Sequence, residues 1–159
     1  MTSQEIVDRI KAKFSDSVVE SKTEGVLQPY LKVNAEAIAT VSSYMRDDDE
    51  LRFDYLMCLS GVDYGKDVLG VVYNLYSTGK RHKITLKVDV TKASPEIPTV
   101  SGIWPTADWH EREAYDLIGV VFKGHPDLRR ILLPYDWEGH PLRKDYKVPE
   151  FYHGMKVPY

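Results

Sequence analysis

Between Lys83 and Val90 the side chains alternate without a break. Ile84, Leu86, Val88 and Val90 are apolar, while Lys83, Thr85, Lys87 and Asp89 are polar. A strand sends successive side chains to opposite faces, so this segment belongs to a sheet with one face in a core and the other in water. Such a sheet needs a covering layer, and two amphipathic segments supply it. Thr2 and Glu5 have capping-box spacing ahead of Ile6, Val7, Ile10 and Phe14, which predicts a helix over residues 3–15. Asn34 is placed to cap a second helix, with Ala35, Ile38, Val41 and Met45 as its buried stripe. Two short strands are expected around a turn at Gly25 within 17–33, and further strands over 53–60 and 68–76. The last is joined to the alternating segment by a hairpin turn at Ser77-Thr78-Gly79-Lys80. The expected fold class is α+β, with two helices packed on a mainly antiparallel sheet over residues 1–92.

The character changes after Val90. Ser94-Pro95 and Ile97-Pro98 mark a linker that leads into a short acidic helix, so that linker and helix occupy 93–119. Thr106 is the expected N-cap, Asp108 suits the positive helix end, and Gly119 is placed as the stop. From Val120 no period persists, while Pro126, Pro134, Pro141, Pro149 and Pro158 recur among aromatic residues. A long aperiodic segment of this kind is usually functional. Residues 120–159 therefore read as an extended arm laid across another protein. Within it one basic phrase occurs twice, as Gly124-His125-Pro126-Asp127-Leu128-Arg129-Arg130 and as Gly139-His140-Pro141-Leu142-Arg143-Lys144-Asp145.

Composition removes several classes of function. The 159-residue chain has a formal charge of −3, which gives no overall positive field to attract a polyanion. With Cys58 as its one cysteine, the chain forms no internal disulfide and holds no four-thiolate iron–sulfur cluster, and a reducing compartment is the simple reading. Cys58 lies in the apolar run Tyr55–Leu59 and is expected to be a buried structural thiol. No apolar run approaches the ~20 residues that span a bilayer, so work at a membrane would require another subunit to hold the chain there.

The catalytic motifs that the acidic helix brings to mind do not fit. His110-Glu111 begins a zinc-protease pattern, but the second histidine one turn later is Ala114. Glu111 and Glu113 are two residues apart on a helix and point in different directions, which argues against a free-standing hydrolase built on the pair. Gly61, Gly65, Gly70 and Gly79 match no nucleotide-binding loop. Arg112 is four residues from both Asp108 and Asp116, so surface ion pairing is the plain expectation, worth only ~0.3–0.5 kcal/mol per pair. That is too little to account for such dense charge. The carboxylates are therefore expected to meet bases elsewhere, either Arg129, Arg130, Arg143 and Lys144 or basic groups of a partner.

Taken together, Glu111-Arg112-Glu113, Asp116, His125 to Leu132 and Trp137 to Tyr146 resemble the 30-kDa subunit family of NADH:quinone oxidoreductase, respiratory complex I. The resemblance is specific over 104–146 and looser before it, where Gly61-Val62-Asp63-Tyr64 also fits. Lys147 departs from a common proline. The resemblance implies a cofactor-free structural and assembly subunit of the hydrophilic arm of a proton-translocating enzyme. It implies packing against the large hydrogenase-like partner, the D subunit, near the quinone site, with FMN, iron–sulfur clusters and quinone on partner subunits. It also implies a peripheral place on the cytoplasmic side of the bacterial inner membrane, reached only through the complex, and no catalytic residue on this chain. The expected interface residues are Glu111, Arg112, Glu113, Asp116, His125, Arg129, Arg130, His140, Arg143, Lys144 and Asp145. The second reading is the homologous subunit of a membrane-bound hydrogenase or another non-NADH dehydrogenase, and the remote alternative is a free-standing hydrolase using Glu111 or Glu113.

Overall fold

In the computed structural model, which describes residues 1–157, the alternating segment is the central strand of a five-stranded sheet. In chain order its strands are β1 (Val18–Lys22), β2 (Tyr30–Val33), β3 (Tyr55–Gly65), β4 (Val68–Ser77) and β5 (His82–Thr91), arranged β1-β2-β5-β4-β3. Neighbours are antiparallel except β2 and β5, which run parallel with Leu31 opposite Leu86. Register separates the two faces. Leu59, Tyr73 and Leu86 are partners across β3, β4 and β5, and all three are buried. One residue along, Ser60, Val72 and Lys87 form a row on the opposite face.

Helix α1 (Ser3–Phe14) starts as the spacing predicts: Thr2 Oγ1 accepts the Glu5 N–H at 3.2 Å and Glu5 Oε2 accepts the Thr2 N–H at 2.8 Å. It buries Ile6, Val7 and Ile10, and α2 (Ile38–Asp47) buries Ile38, Val41 and Met45. Asn34 does not cap α2. A 3-10 turn over Ala35–Ala37 comes first, and the Asn34 side chain donates to the Asp16 carbonyl instead.

A third helix, α3 (Ala107–Ile118), lies against β3. The approach is close because Gly61 has no side chain; a Cβ there would stand 3.1 Å from Ala114 Cβ and 3.2 Å from Ile118 Cγ1. The backbone of Thr106 is already helical and its side chain makes no capping bond. Gly119 ends the helix as expected, at a φ of +82°, its N–H donating to the Ala114 and Tyr115 carbonyls.

Residues 93–119, read from sequence as linker and helix, contribute Ile97, Val100, Trp104, Ala107, Ala114 and Ile118 to the core shared with the sheet. Strand β6 (Glu96–Pro98) pairs in parallel with β7 (Val121–Lys123), with Ile97 and Phe122 partnered and buried. Three-residue strands are too short for an alternation to register in sequence. A small hairpin, β8 (Phe151–Tyr152) with β9 (Met155–Lys156), closes the described chain. Cys58 is a correction: an irregularity between Leu56 and Cys58 turns it off the core face, and its half-buried thiol lies 3.3 Å from Ser60 Oγ.

The contact at Gly61 yields a prediction. Gly61→Val adds branched volume where Ala114 and Ile118 leave none, and overpacking of this kind costs roughly 1–3 kcal/mol. Urea unfolding should show that loss, whereas a wild-type midpoint would mean that α3 is not seated on β3.

Candidate functional site

The acidic helix does not present its charges to solvent. Glu111 and Asp116 are fully buried, Arg112 is nearly so, and Glu113 is the exposed member of the group. The tail that follows supplies their partners.

Asp116 is the hub. Its Oδ2 accepts three consecutive backbone N–H groups, from Ile131 at 3.0 Å, Leu132 at 2.8 Å and Leu133 at 2.9 Å. Its Oδ1 accepts Arg130 Nη1 at 2.7 Å, and Arg130 Nη2 continues to the Gly139 carbonyl at 2.9 Å. Successive amides around one oxygen form a concave anion seat, filled here by the chain's own carboxylate. Burial pushes the Asp116 pKa up, but the amides and Arg130 outweigh it and hold the group below its ordinary value. The backbone joins in, since the Asp116 carbonyl meets His140 Nδ1 at 3.0 Å. Burial next to Arg143 and Arg130 lowers the His140 pKa.

The second basic phrase fastens the end of α3 and the tip of the β3–β4 hairpin. Arg143 Nε donates to the Ile118 carbonyl at 2.6 Å and Nη2 to the Gly119 carbonyl at 3.3 Å, so it satisfies the helix C-terminus rather than a carboxylate. The Lys144 N–H donates to Asp63 Oδ2 at 2.9 Å. Lys92 Nζ bridges Asp63 and Asp145 at 3.0 Å each. Asp63 is buried, which alone would raise its pKa, yet the Lys144 and Gly65 amides and Lys92 bring it down to about 2. Nothing in the sequence pattern assigns a role to Asp63 or Lys92 beyond the place of Asp63 within Gly61–Tyr64.

Glu111 has a different environment. Its Oε1 accepts the Val100 N–H at 2.7 Å and its Oε2 accepts the Thr99 hydroxyl, which ties α3 to the loop after β6. His125 Nε2 stands 3.9 Å away, too far for a hydrogen bond. That ring is itself fixed: Nδ1 accepts the Asp127 N–H at 3.0 Å, so Nε2 carries the proton toward the Asp108 carbonyl at 3.2 Å. No lysine or arginine pairs with Glu111 among the described residues, and burial raises its pKa to about 7.

The two phrases are therefore not equivalent. Arg129 lies in solvent, paired with Asp127 at 2.8 Å, while Arg143 is drawn onto α3. The first phrase has one additional residue before its arginine, Asp127, and that residue takes the guanidinium. Arg112 also departs from the surface-pair expectation, for it donates to the Arg129 carbonyl at 3.4 Å and lies 5.2 Å from the Trp109 ring. Among the described residues no group of three or more histidine, cysteine or acidic side chains is placed to hold a metal ion.

Several large apolar side chains face out. Leu132, Tyr135, Leu142, Val148, Phe151 and Met155 are all exposed, as is Trp109 on α3. The tip is held in shape by Asp136, which accepts from Tyr152 Oη at 2.9 Å and meets His153 Nε2 at 2.7 Å. Trp137 Nε1 donates to Tyr146 Oη at 3.0 Å. Large apolar side chains left exposed are candidates for contact with a partner.

Two predictions come from these bonds. Asp116→Ala strands Arg130 and three amides, so it should cost about 3–5 kcal/mol and open Arg129 and Arg130 to trypsin, whereas Arg129→Ala should cost less than about 1 kcal/mol. Equal effects of the two substitutions on urea unfolding would contradict the hub. Glu111 has a folded-state pKa near 7 against 4.5 as a free side chain, so its contribution is fully present below 4.5 and is lost as pH rises through 7. The loss is on the order of 3 kcal/mol, and Glu111→Gln should flatten stability across that window. Asp63 and Asp116 act oppositely, losing their contribution as pH falls below the ordinary aspartate value of 3.8. An unchanged slope between pH 4.5 and 7 in Glu111→Gln would exclude this role for the residue.

The architecture has known counterparts. Residues 31–152 match the family described as respiratory-chain NADH dehydrogenase, 30 Kd subunit. The NADH-quinone oxidoreductase C subunit of Chloroherpeton thalassium is 56% identical over 151 residues, which cover 94% of this chain and 63% of that protein. Its counterpart in Chlorobium phaeobacteroides, of the same name, is 47% identical over 154 residues, covering 96% and 93%. The chain thus spans somewhat under two thirds of the first relative's length and nearly all of the second's. Among solved structures, the trypsin-resistant fragment (1-134) of Nqo5 superimposes with a TM-score of 0.63 at 27% identity, over 80% of this chain and 100% of that one. A chain of the membrane-bound sulfane sulfur reductase, an archaeal respiratory membrane complex, does so with a TM-score of 0.75 at 26% identity, over 91% and 85%. With the family matched from β2 through the three sheet strands after it, α3 and most of the tail, the chain belongs to the 30-kDa subunit family of respiratory-chain NADH dehydrogenases.

Proposed function

We propose that this chain is a cofactor-free structural and assembly subunit in the hydrophilic arm of a proton-translocating NADH:quinone oxidoreductase. Its tail is the seat for the large hydrogenase-like subunit near the quinone site. Electron transfer belongs to partners that carry FMN, iron–sulfur clusters and quinone, and the chain meets the cytoplasmic side of the membrane only through them. No helix of the described chain is long and apolar enough to cross a membrane.

One observation carries this reading. The tail is fastened to its own body by Arg130 on Asp116, Arg143 on the end of α3 and the Lys144 amide on Asp63, and it leaves Leu132, Tyr135, Leu142, Val148, Phe151 and Met155 exposed. A pre-ordered apolar surface loses little conformational entropy when a partner covers it. Arg130, Arg143 and Asp116 then act as positioning residues for the interface, and the exposed apolar side chains are its contacts. The likeness to a chain of the sulfane sulfur reductase complex supports a second reading, in which the same scaffold serves a respiratory complex with a different electron donor.

Purification of the tagged chain from membranes in mild detergent separates the readings. A co-purifying large subunit together with a flavin-bearing NADH subunit supports the first, and a large subunit without the NADH subunit supports the second. Recovery of a monomer with its own hydrolytic turnover would remove both. Phe151→Asp with Met155→Asp should cut recovery of the large subunit by roughly tenfold or more, the size of effect expected for apolar contacts at an interface centre. The unfolding midpoint of the free chain should stay unchanged. Undiminished recovery would show that the tail surface is not the seat.

A further inference from the structure

We propose that the open face of the five-stranded sheet is a second docking surface, which takes a protein segment presenting an apolar side chain beside carboxylates. The helices cover one face and leave the other bare. On the bare face stand Tyr55, Met57 and Tyr64, all exposed, and Leu27 beside its rim is 97% exposed. Between the loop at Gln28-Pro29 and strands β3 to β5 lies a small groove, lined by Pro29, Met57, Asn74, Lys83 and Thr85. Its floor is ordered, since Thr85 Oγ1 donates to Asn74 Oδ1 at 3.1 Å. Pro29 and Met57 supply its apolar contacts and Lys83 a cationic edge, which suits one aliphatic or aromatic side chain with an acidic neighbour.

Charge complementarity identifies the occupant. The pairing register places Glu20, Lys22, Lys32, Lys83, Lys87 and Asp89 on this face, four lysines against two carboxylates, in a chain whose total charge is −3. Both carboxylates are engaged by Lys32, at 3.6 Å from Glu20 and 2.7 Å from Asp89. Lys22, Lys83 and Lys87 have no carboxylate within 4.0 Å among the described residues, and Lys87 is held 3.7 Å over the Tyr30 ring. The two carboxylates embedded in the face disfavour nucleic acid and favour a protein that brings its own. This surface is distinct from the tail, on which the functional reading rests, and it adds a second neighbour within the same assembly.

The four methionines make the test internal, because Met45 is fully buried, Met1 is exposed, Met57 marks the sheet face and Met155 the tail. The chain is purified alone and in its complex, and methionine oxidation by dilute hydrogen peroxide is compared, with Met1 and Met45 of the free chain as upper and lower references. Met57 should be protected roughly fivefold or more in the complex, as a buried interface core requires. A zero-length carbodiimide should join Lys83 or Lys87 to a carboxylate of another subunit. Lys83→Glu with Lys87→Glu should lower incorporation to a similar extent, while the unfolding midpoint of the free chain is kept. Equal oxidation of Met57 alone and in the complex overturns the proposal; protection of Met155 in the same sample would leave the tail reading standing, and exposure of both would remove both. Cross-links only to a second copy of this chain, or protection abolished by nuclease, also overturn it.

Discussion

The structure depends on one buried carboxylate. Asp116 sits where α3, both basic phrases and the Ile131–Leu133 backbone meet, and its two oxygens accept four donors. A tail without regular structure has backbone amides that must be satisfied, and a surface segment normally leaves that to water. Here three of them converge on an anion instead. The desolvation of Asp116 is offset by amide dipoles and by Arg130, and removal of the carboxylate leaves all four donors without it. Arg130 extends the same network to Gly139, and His140 and Arg143 close it on the last carbonyls of α3. The tail is thus the continuation of a helix terminus, held by the groups that any helix end leaves unsatisfied.

This arrangement turns the usual picture of a binding arm inside out. An arm rich in arginine and histidine would be expected to offer its charges to a partner. Arg130 and Arg143 are instead engaged within the chain, and Leu132, Tyr135, Leu142, Val148, Phe151 and Met155 are left exposed alongside the remaining charged groups.

Much of the fold was legible beforehand. The alternation from Lys83 to Val90, the Thr2–Glu5 capping box and the Gly119 stop are local patterns, and local patterns survive in the structure because neighbours in sequence create them. Asn34, Thr106 and Cys58 went otherwise because tertiary contacts overrode local preference: a 3-10 turn, an already helical backbone and a strand irregularity. The site was legible as a set of residues but not as a wiring diagram. Three amides at 131–133 carry no side-chain signal, and the near-repeat concealed that one additional residue, Asp127, diverts Arg129 into solvent. The parallel pair β6 and β7, three residues each, lies below the length at which a period can be read.

Amide hydrogen exchange on the free chain tests the hub most directly. Ile131, Leu132 and Leu133 lie outside every helix and strand, so nothing except the Asp116 carboxylate protects their N–H groups. If Asp116 fastens the tail, these three amides exchange as slowly as those within α3, and the protection disappears together in Asp116→Ala. Exchange of the three at the rate of an unstructured peptide in the wild-type chain would contradict the central claim.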